Sequence, residues 1–385
     1  MTAYLDHAAS TPMRPEAVAA MLPFLSDHPG NPSGGHAVAR AAKTALEAAR
    51  EEVAGILGCA PNEVVFTGGG TESDNLAVKG GAHVQRGAGR DGVDTSAIEH
   101  KGVLAAADRL ATEGFRVATV GVDRGGVLDL DQLDAALDAQ TAVVSVMLVN
   151  NEVGTIQPLA EVAARVRALA PQALLHTDAV QAVPWLDVAG PTAEFDLVAI
   201  SGHKFGGPKG VGVLVVRGGV KLEPQIVGGG QERGLRAGTV NVAGVIALAT
   251  ALRITHERRT ADLNRVRTLR DRLVSGLAES VPNITFNGDP AHKVDGSCHV
   301  TFAGIESEAL LVNLDAAGVF AAAGSSCSSG ATDPSHVLAA MGMSRADALA
   351  SVRFSLGYAS TNSDVATALD VVPRAVAQLR SMAAA

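Results

Sequence analysis

Two reactive side chains surrounded by small residues stand out in this sequence, a lysine and a cysteine. Lys204 lies in residues 201–210, which follow a strand-like run, and Cys327 lies in a serine- and glycine-rich stretch, residues 324–330. A neutral lysine can form a Schiff base with an aldehyde, and a thiolate is a strong nucleophile. The pair predicts an enzyme that activates an amino acid on the aldehyde cofactor pyridoxal phosphate (PLP) and takes an atom from it.

Both residues also have ordinary interpretations. Lys204 could be a surface lysine, and its pKa must fall from about 10.4 before it can attack an aldehyde. Cys327 could be a small buried hydrophobe, the usual state of a free cysteine. Its Ser and Gly neighbours, closed by the Asp-Pro at 333–334, predict an exposed, mobile loop instead. Cys59 and Cys298 lie in apolar or strand-like settings, so we interpret both as structural.

Composition excludes several other classes of protein. The chain has 385 residues with a formal charge of −9 and 3% aromatic residues, which argues against nucleic-acid binding through the phosphate backbone. Three cysteines without repeated spacing form neither a disulfide framework nor a zinc motif. The longest apolar runs, such as 142–149, are too short to span a bilayer. We therefore expect a cytoplasmic protein without a membrane or direct nucleic-acid partner, and no metal site.

Strand and helix patterns alternate through the first two-thirds of the chain. Strand-like runs cover 63–67, 93–98, 142–149, 173–178, 196–200 and 212–216, and helical patterns cover 37–53 and 160–168. This rhythm predicts an α/β fold around a mostly parallel central sheet.

A smaller α/β segment follows a long helical pattern that runs from about residue 240 to 277. Its strand-like runs are 297–302 and 352–355, and helical patterns cover 307–317 and the C-terminal residues. We predict a large domain at 13–257. The small domain comprises 1–12 and 258–385 and carries the cysteine loop at about 321–336.

Four polar residues come just after strand-like runs: Thr71, Asn151, Asp178 and Lys204. Ligands in open α/β sheets collect at the carboxyl ends of the strands. The shared position predicts one site, although each residue alone has an ordinary alternative. Asp178 could pair with a protonated pyridine nitrogen or cap a helix, and Asn151 by itself belongs to a loop.

The other candidates are equally open when taken singly. The glycines that precede Thr71 offer backbone N–H groups to a phosphate, or form an ordinary turn. His100 could stack on a flat ring and move protons, and His203 could bind phosphate, or both could be structural. Arg353 could hold a substrate carboxylate or form a surface salt bridge. The glycine-rich basic stretch 228–239 could contact an anion or an interface.

Taken together, these stretches resemble the cysteine desulfurases of the NifS/IscS type, within the class V aminotransferase family. The likeness runs nearly the full length of the chain, through residues 5–12, 30–33, 99–101, 150–154, 178–181, 201–212, 228–239 and the Cys327 loop. The long cysteine loop resembles the NifS/IscS group more than the SufS-like group, whose loop is shorter. Gly68, Gly70 and Val240 stand where relatives often carry Ser, Ala and Glu.

The resemblance implies a PLP-dependent transferase of fold type I that acts as a homodimer. Its reaction would convert L-cysteine to L-alanine, and the sulfur would pass to Cys327 as a persulfide. An acceptor protein would then take the sulfur for iron–sulfur cluster assembly or thiolation. Neither the residues nor the resemblance identifies that acceptor. Rival interpretations are a selenocysteine lyase, a transaminase, or a catalytically weak platform that docks sulfur-relay partners.

The resemblance also implies a role for each candidate residue. Lys204 would carry the Schiff base and move the α-proton, His100 would stack on the ring and handle protons, and Asp178 would pair with the ring nitrogen. Gln181 would contact the ring hydroxyl, and the phosphate would be held by Gly70, Thr71, Ser201 and His203, with Thr239 from the second subunit. Asn151 and Arg353 would hold the substrate carboxylate, and Asn151 would also contact the cofactor.

Overall fold

A seven-stranded sheet forms the centre of the larger part of the chain. The computed structural model describes residues 2–324 and 333–384. The strands of this sheet are β2 Val64–Thr67, β3 Gly92–Ser96, β4 Arg116–Val120, β5 Thr141–Ser145, β6 Leu174–Asp178, β7 Leu197–Ser201 and β8 Gly212–Val216. They lie in the order β2-β8-β7-β6-β5-β3-β4. The neighbours from β7 to β4 are parallel, and β8 is antiparallel to both β7 and β2. The predicted mostly parallel α/β sheet is confirmed.

Helices cover both faces of this sheet, because successive strand residues point to opposite sides. On β5, Val144 packs into a core with α2 and α6, and Val143 packs into a second core with α3 and α4. The helices of this part are α1 Pro15–Met21, α2 Ala37–Leu57, α3 Gly70–Arg86, α4 Lys101–Thr112, α5 Leu130–Ala136 and α6 Leu159–Leu169. Strands buried on both faces read as continuous apolar runs, which is why the sequence reveals them.

One predicted strand is too long. The run 142–149 is buried throughout, but the strand ends at Ser145. Residues 146–149 remain buried after leaving the regular ladder, with Val149 at 1% exposure. Apolar character alone therefore placed the end of this strand four residues too late.

A 39-residue helix, α7 Val242–Ser280, connects one core of the large sheet with a further core in the C-terminal part. Asn241 caps its first turn, where the side-chain oxygen accepts the Gly244 N–H at 3.0 Å. Leu252 packs into the core beside the large sheet, and Val266 packs into the core of the C-terminal part. The domain boundary proposed at residue 257 therefore lies inside a continuous helix, at the transition between the two cores.

The C-terminal part contains a four-stranded antiparallel sheet in the order β12-β13-β10-β9. Its strands are β9 Ile284–Phe286, β10 Ser297–Phe302, β12 Ala322–Ala323 and β13 Ser351–Ser355, and its other helices are α8 Ser307–Ala316, α9 His336–Ala340, α10 Arg345–Leu349 and α11 Asn362–Ala384. The N-terminal strand β1 Ala3–Tyr4 pairs with β11 Val319–Phe320, and Ala3 and Leu5 lie in the same core as Phe354. Among the described helices, none combines the length and apolar character needed to cross a membrane.

Candidate active site

An open cavity of about 480 Å³ lies at the carboxyl edge of the large sheet. We call it the strand-end cavity. The predicted site residues that line it are Gly70, Thr71, His100, Asn151, Asp178, Gln181, Ser201, His203, Lys204 and Arg353. Parallel strands end at one edge, so residues distant in sequence converge there. Thr239 is exposed and does not line this cavity, and Cys327 lies outside the described residues.

One end of the strand-end cavity is built to hold an anion. Helix α3 begins at Gly70, after Gly69 at φ +148°, a conformation that favours glycine. Its first N–H groups have no partners within the helix, and the helix dipole places positive charge there. The Thr71 and Ser201 side chains line the same end. This arrangement is suited to a phosphate.

The sequence alone did not decide the effect of Gly68 or the state of His203 at this end of the cavity. A Cβ on Gly68 would lie 2.6 Å from Glu72 Oε2, which already accepts the Gly68 N–H at 2.9 Å, so the Glu72 carboxylate occupies the space of a side chain. Burial, with Lys204 and Lys209 nearby, lowers the pKa of His203 to about 4. His203 is therefore a neutral ring near pH 7, and its Nδ1 lies 3.3 Å from Ser10 Oγ.

Lys204 lies in a short 3₁₀ turn, Gly202–Lys204, directly after β7. Its Nζ donates hydrogen bonds to the carbonyl oxygens of Ala8 at 2.6 Å and Ala9 at 2.9 Å. Gln181 Nε2 donates to the same Ala8 oxygen at 2.7 Å. Backbone carbonyl oxygens of the N-terminal segment therefore hold the lysine head at the wall of the strand-end cavity.

Asp178 ends β6 and is 5% exposed. Its Oδ1 accepts the Val180 N–H at 2.8 Å, which forms a turn and not a helix cap, since residues 180–185 are turns. Burial raises the pKa of Asp178, while His100, the Val180 N–H and Lys204 act to lower it. A buried carboxylate of this kind is suited to a cationic partner.

His100 caps helix α4, where its Nδ1 accepts the Gly102 N–H at 3.0 Å. A neutral ring with Nδ1 as acceptor carries its proton on Nε2. Ligand atoms of Asp74, His100 and Asp178 all lie within 4.8 Å of one another. His100 can therefore exchange a proton beside the Asp178 carboxylate.

Arg353 lies on β13 with its side chain 3% exposed. Its Nη2 lies 2.7 Å from Asp6 Oδ1, and its Nη1 donates to the Asn151 carbonyl oxygen at 2.9 Å. Arg353 does form a salt bridge, to Asp6, but its guanidinium is buried at the cavity wall and not on the surface. A buried guanidinium beside Asn151 is suited to a carboxylate ligand.

Sequence reasoning missed three buried groups behind the site. Asp74 lines the strand-end cavity, Glu99 accepts the Met147 N–H at 2.7 Å, and His176 lies two residues before Asp178 on β6. Helical spacing could have revealed Asp74, which follows Thr71 by three residues and so shares its face of α3. The two-residue period of a strand could have revealed His176 in the same way.

The other two cysteines are not nucleophiles in this environment. Cys298 is buried on β10, and Cys59 is partly buried. Burial raises the pKa of each thiol to about 11, so both are protonated near pH 7. Both are free thiols.

The parallel sheet covered on both faces, with a lysine and an aspartate at its carboxyl edge, defines an α/β enzyme of the PLP-dependent transferase class, fold type I. A model of the aminotransferase class-V family matches residues 3–367. The chain therefore belongs to that family, within its cysteine desulfurases of the NifS/IscS type. The predicted family, fold class and enzyme class are confirmed.

Three relatives illustrate the likeness. The chain is 42% identical to "Cysteine desulfurase IscS" of Methanosarcina thermophila, over 98% of this chain and 93% of that protein. It is 35% identical to a solved structure titled "NIFS-LIKE PROTEIN", with a TM-score of 0.92 over 98% of this chain and 100% of the other. It is 33% identical to a structure titled "SspA in complex with cysteine", with a TM-score of 0.82 over 94% and 100% of the two chains.

Proposed function

We propose that this protein is a PLP-dependent cysteine desulfurase that converts L-cysteine to L-alanine and passes on the sulfur. The observation that carries the proposal is the convergence of Lys204, His100 and Asp178 in one cavity with an anion site at one end. Likeness to proteins named cysteine desulfurase, and to one solved with cysteine, supports the substrate. The serine- and glycine-flanked Cys327 supports sulfur transfer.

The residues of the strand-end cavity fit PLP, the cofactor that the family implies. The α3 N-terminus with Gly70 and Thr71, joined by Ser201 and His203, would hold the phosphate. Asp178 is a buried carboxylate for the protonated ring nitrogen, and Gln181 would contact the ring hydroxyl. Bound PLP supplies an electron sink for the charge left when the substrate loses its α-proton.

Each side chain then has a defined task. Arg353 and Asn151 would hold the substrate carboxylate, which fixes the orientation of the α-carbon. Lys204, which lines the strand-end cavity, would take the α-proton and return it. His100 would handle protons near the substrate thiol, giving up its Nε2 proton and taking it back.

Sulfur transfer would be carried out by Cys327. Its thiolate would attack the substrate sulfur, so that an S–S bond forms while the C–S bond breaks. The substrate carbon keeps the electron pair of the broken bond, takes up a proton and leaves as alanine. The persulfide on Cys327 would then pass its outer sulfur to a thiol of an acceptor protein, for iron–sulfur cluster assembly or thiolation.

We also infer a homodimer in a reducing, cytoplasmic setting. Thr239, which follows the glycine-rich stretch 228–238, is exposed and does not line the strand-end cavity of its own chain. In a dimer it would contact the cofactor phosphate held by the second copy. Light scattering that gives twice the mass of one chain would support this arrangement. A monomer that binds PLP with full affinity would contradict it.

The test is release of sulfide and alanine from L-cysteine with a reductant, with the visible spectrum of PLP recorded in parallel. We expect the wild type to turn over and Cys327→Ala to retain PLP without making sulfide. Cys59→Ala is the matched control, because that thiol is held protonated, and it should keep activity. If Cys327→Ala and the wild type both bind PLP and neither releases sulfur, the desulfurase proposal fails and a transaminase becomes the better assignment.

A further inference from the structure

Asp74 is an unexplained carboxyl group at the wall of the strand-end cavity. It lies on the second turn of α3 and is 1% exposed. Neither of its carboxyl oxygens has a hydrogen-bond partner within residues 2–324 and 333–384. An ionised carboxylate buried without partners is unfavourable by several kcal/mol, so this group needs another explanation.

His176 is the polar group that faces Asp74 from the sheet. Its Nε2 lies 3.6 Å from Asp74 Oδ1, so a small rotation would bring the two into hydrogen-bond distance. On its other side, His176 Nδ1 lies 2.8 Å from Ser145 Oγ. Both His176 and Ser145 are fully buried. The three side chains form a line from the sheet interior to the cavity.

Charge cannot be shared equally between Asp74 and Asp178, because two buried carboxyl groups at this distance do not both ionise readily. Asp178 has the Val180 N–H, with His100 and Lys204 nearby, to stabilise a negative charge.

Asp74 has no such support. Burial, Asp178 and Glu99 all raise the pKa of Asp74. Its neighbour His176 adds no positive charge, because burial lowers the pKa of that ring to about 3.

We propose that Asp74 is a positioning residue that stays uncharged beside Asp178 and, with His176 and Ser145, forms a neutral relay behind it. Asp74 would donate its O–H to His176 Nε2, and His176 Nδ1–H would donate to Ser145 Oγ. The negative charge of the cluster then remains on Asp178, where the cofactor ring nitrogen would bind. The inference rests on the proposed function for the identity of that cofactor.

The direct test is infrared difference spectroscopy of the holoenzyme near pH 7, wild type minus Asp74→Asn, with and without ¹³C-labelled aspartate. We expect the C=O stretch of a protonated carboxylic acid, present in the wild type, shifted by ¹³C and lost in the variant. Bands of an ionised carboxylate in its place would overturn the proposal. Asp94→Asn is the control, because burial raises the pKa of Asp94 to about 7 and its band should fade as the pH passes that value.

A second measurement tests the division of charge. PLP is titrated into apoenzyme of Asp178→Asn and Asp74→Asn, and its dissociation constant is read from absorbance. We expect Asp178→Asn to weaken PLP at least ten times more than Asp74→Asn does, because only the former removes a charge. Equal losses would overturn the proposal. If the wild type bound no PLP, the proposed function would fail, while the apoprotein's infrared spectrum would still report on Asp74.

Discussion

The buried ion pair between Arg50 and Glu232 gives the sharpest stability prediction. Arg50 Nη1 and Nη2 donate to the two Glu232 carboxylate oxygens at 2.8 and 2.7 Å. Glu232 Oε2 also accepts the Phe66 N–H at 2.8 Å. The side chains are 5% and 2% exposed, so water screens neither charge. The pair ties residues 228–239, which end at Thr239, to α2 and β2.

Glu232→Ala should lower the free energy of unfolding by about 3–5 kcal/mol, because it leaves the buried Arg50 guanidinium with only the half-exposed Glu47 carboxylate, 3.1 Å from its Nε, as a counter-charge. Glu232 adopts φ +44°, and alanine carries the same backbone strain there, so the comparison isolates the side chain. Replacing both partners, as Arg50→Met with Glu232→Leu, should recover the part of the loss that comes from the unpaired guanidinium, but not the part that comes from the Phe66 N–H, which still lacks its acceptor.

The assay is urea unfolding followed by the fluorescence of Trp185, the one tryptophan of the chain. Trp185 packs against both main cores, so it reports on the loss of either. Asp138→Ala is the matched control. It removes one of the two carboxylate partners of Arg116, at 3.0 Å on a half-exposed surface, while Asp91 remains at 2.9 Å, and it should change stability by about 0–1 kcal/mol. A Glu232→Ala loss no larger than that of the control would refute the reasoning.

Three further predictions concern pH, packing and substrate binding. Burial raises the pKa of Asp94 to about 7, and the unfolded group titrates near 3.9, so ionisation destabilises the fold increasingly between those pH values. The free energy of unfolding of Asp94→Asn, relative to the wild type, should therefore rise from pH 4 to pH 7 by at most about 4 kcal/mol. An equal difference between the two proteins at pH 4 and pH 8 in urea unfolding would contradict this. Gly296→Ala would place a Cβ 2.2 Å from the Trp185 ring and should cost about 1–3 kcal/mol with altered fluorescence, whereas Gly35→Ala, with no described atom within 4 Å, should not. Arg353→Lys should raise KM for L-cysteine about 10- to 100-fold with a smaller change in kcat, and lowered kcat at unchanged KM would show that it does not hold the carboxylate.

The strands that carry the site were predictable because burial on both faces leaves a distinct pattern. Residues 173–178 begin with three apolar residues and end at Asp178, and residues 196–200 are apolar after Asp196 and are followed by Ser201. Each becomes a strand of the parallel sheet within one residue of the predicted limits. Parallel strands share a carboxyl edge, so Asp178 and Lys204 could be placed together without knowing the strand order. The antiparallel direction of β8 left no such signal, because its apolar run looks the same either way along the sheet.

The groups behind the site were not predictable in the same way. Asp74 and His176 meet only because α3 packs against β6, and this contact is tertiary. Arg353 meets Asp6 across 347 residues of sequence, so no local pattern connects them. An isolated buried carboxyl or imidazole looks like any other polar residue until its neighbours are placed.

The N-terminal segment, residues 3–10, links the two parts of the molecule at the reactive lysine. Ala3 and Leu5 are buried in the C-terminal core, and Asp6 pairs with Arg353 on β13 of the same part. Directly after them, the carbonyl oxygens of residues 8 and 9 accept the Lys204 Nζ hydrogen bonds from the large sheet. A shift of the C-terminal part relative to the large sheet would therefore act on the Lys204 head through this one short segment, because Asp6 is tied to Arg353 of the C-terminal part.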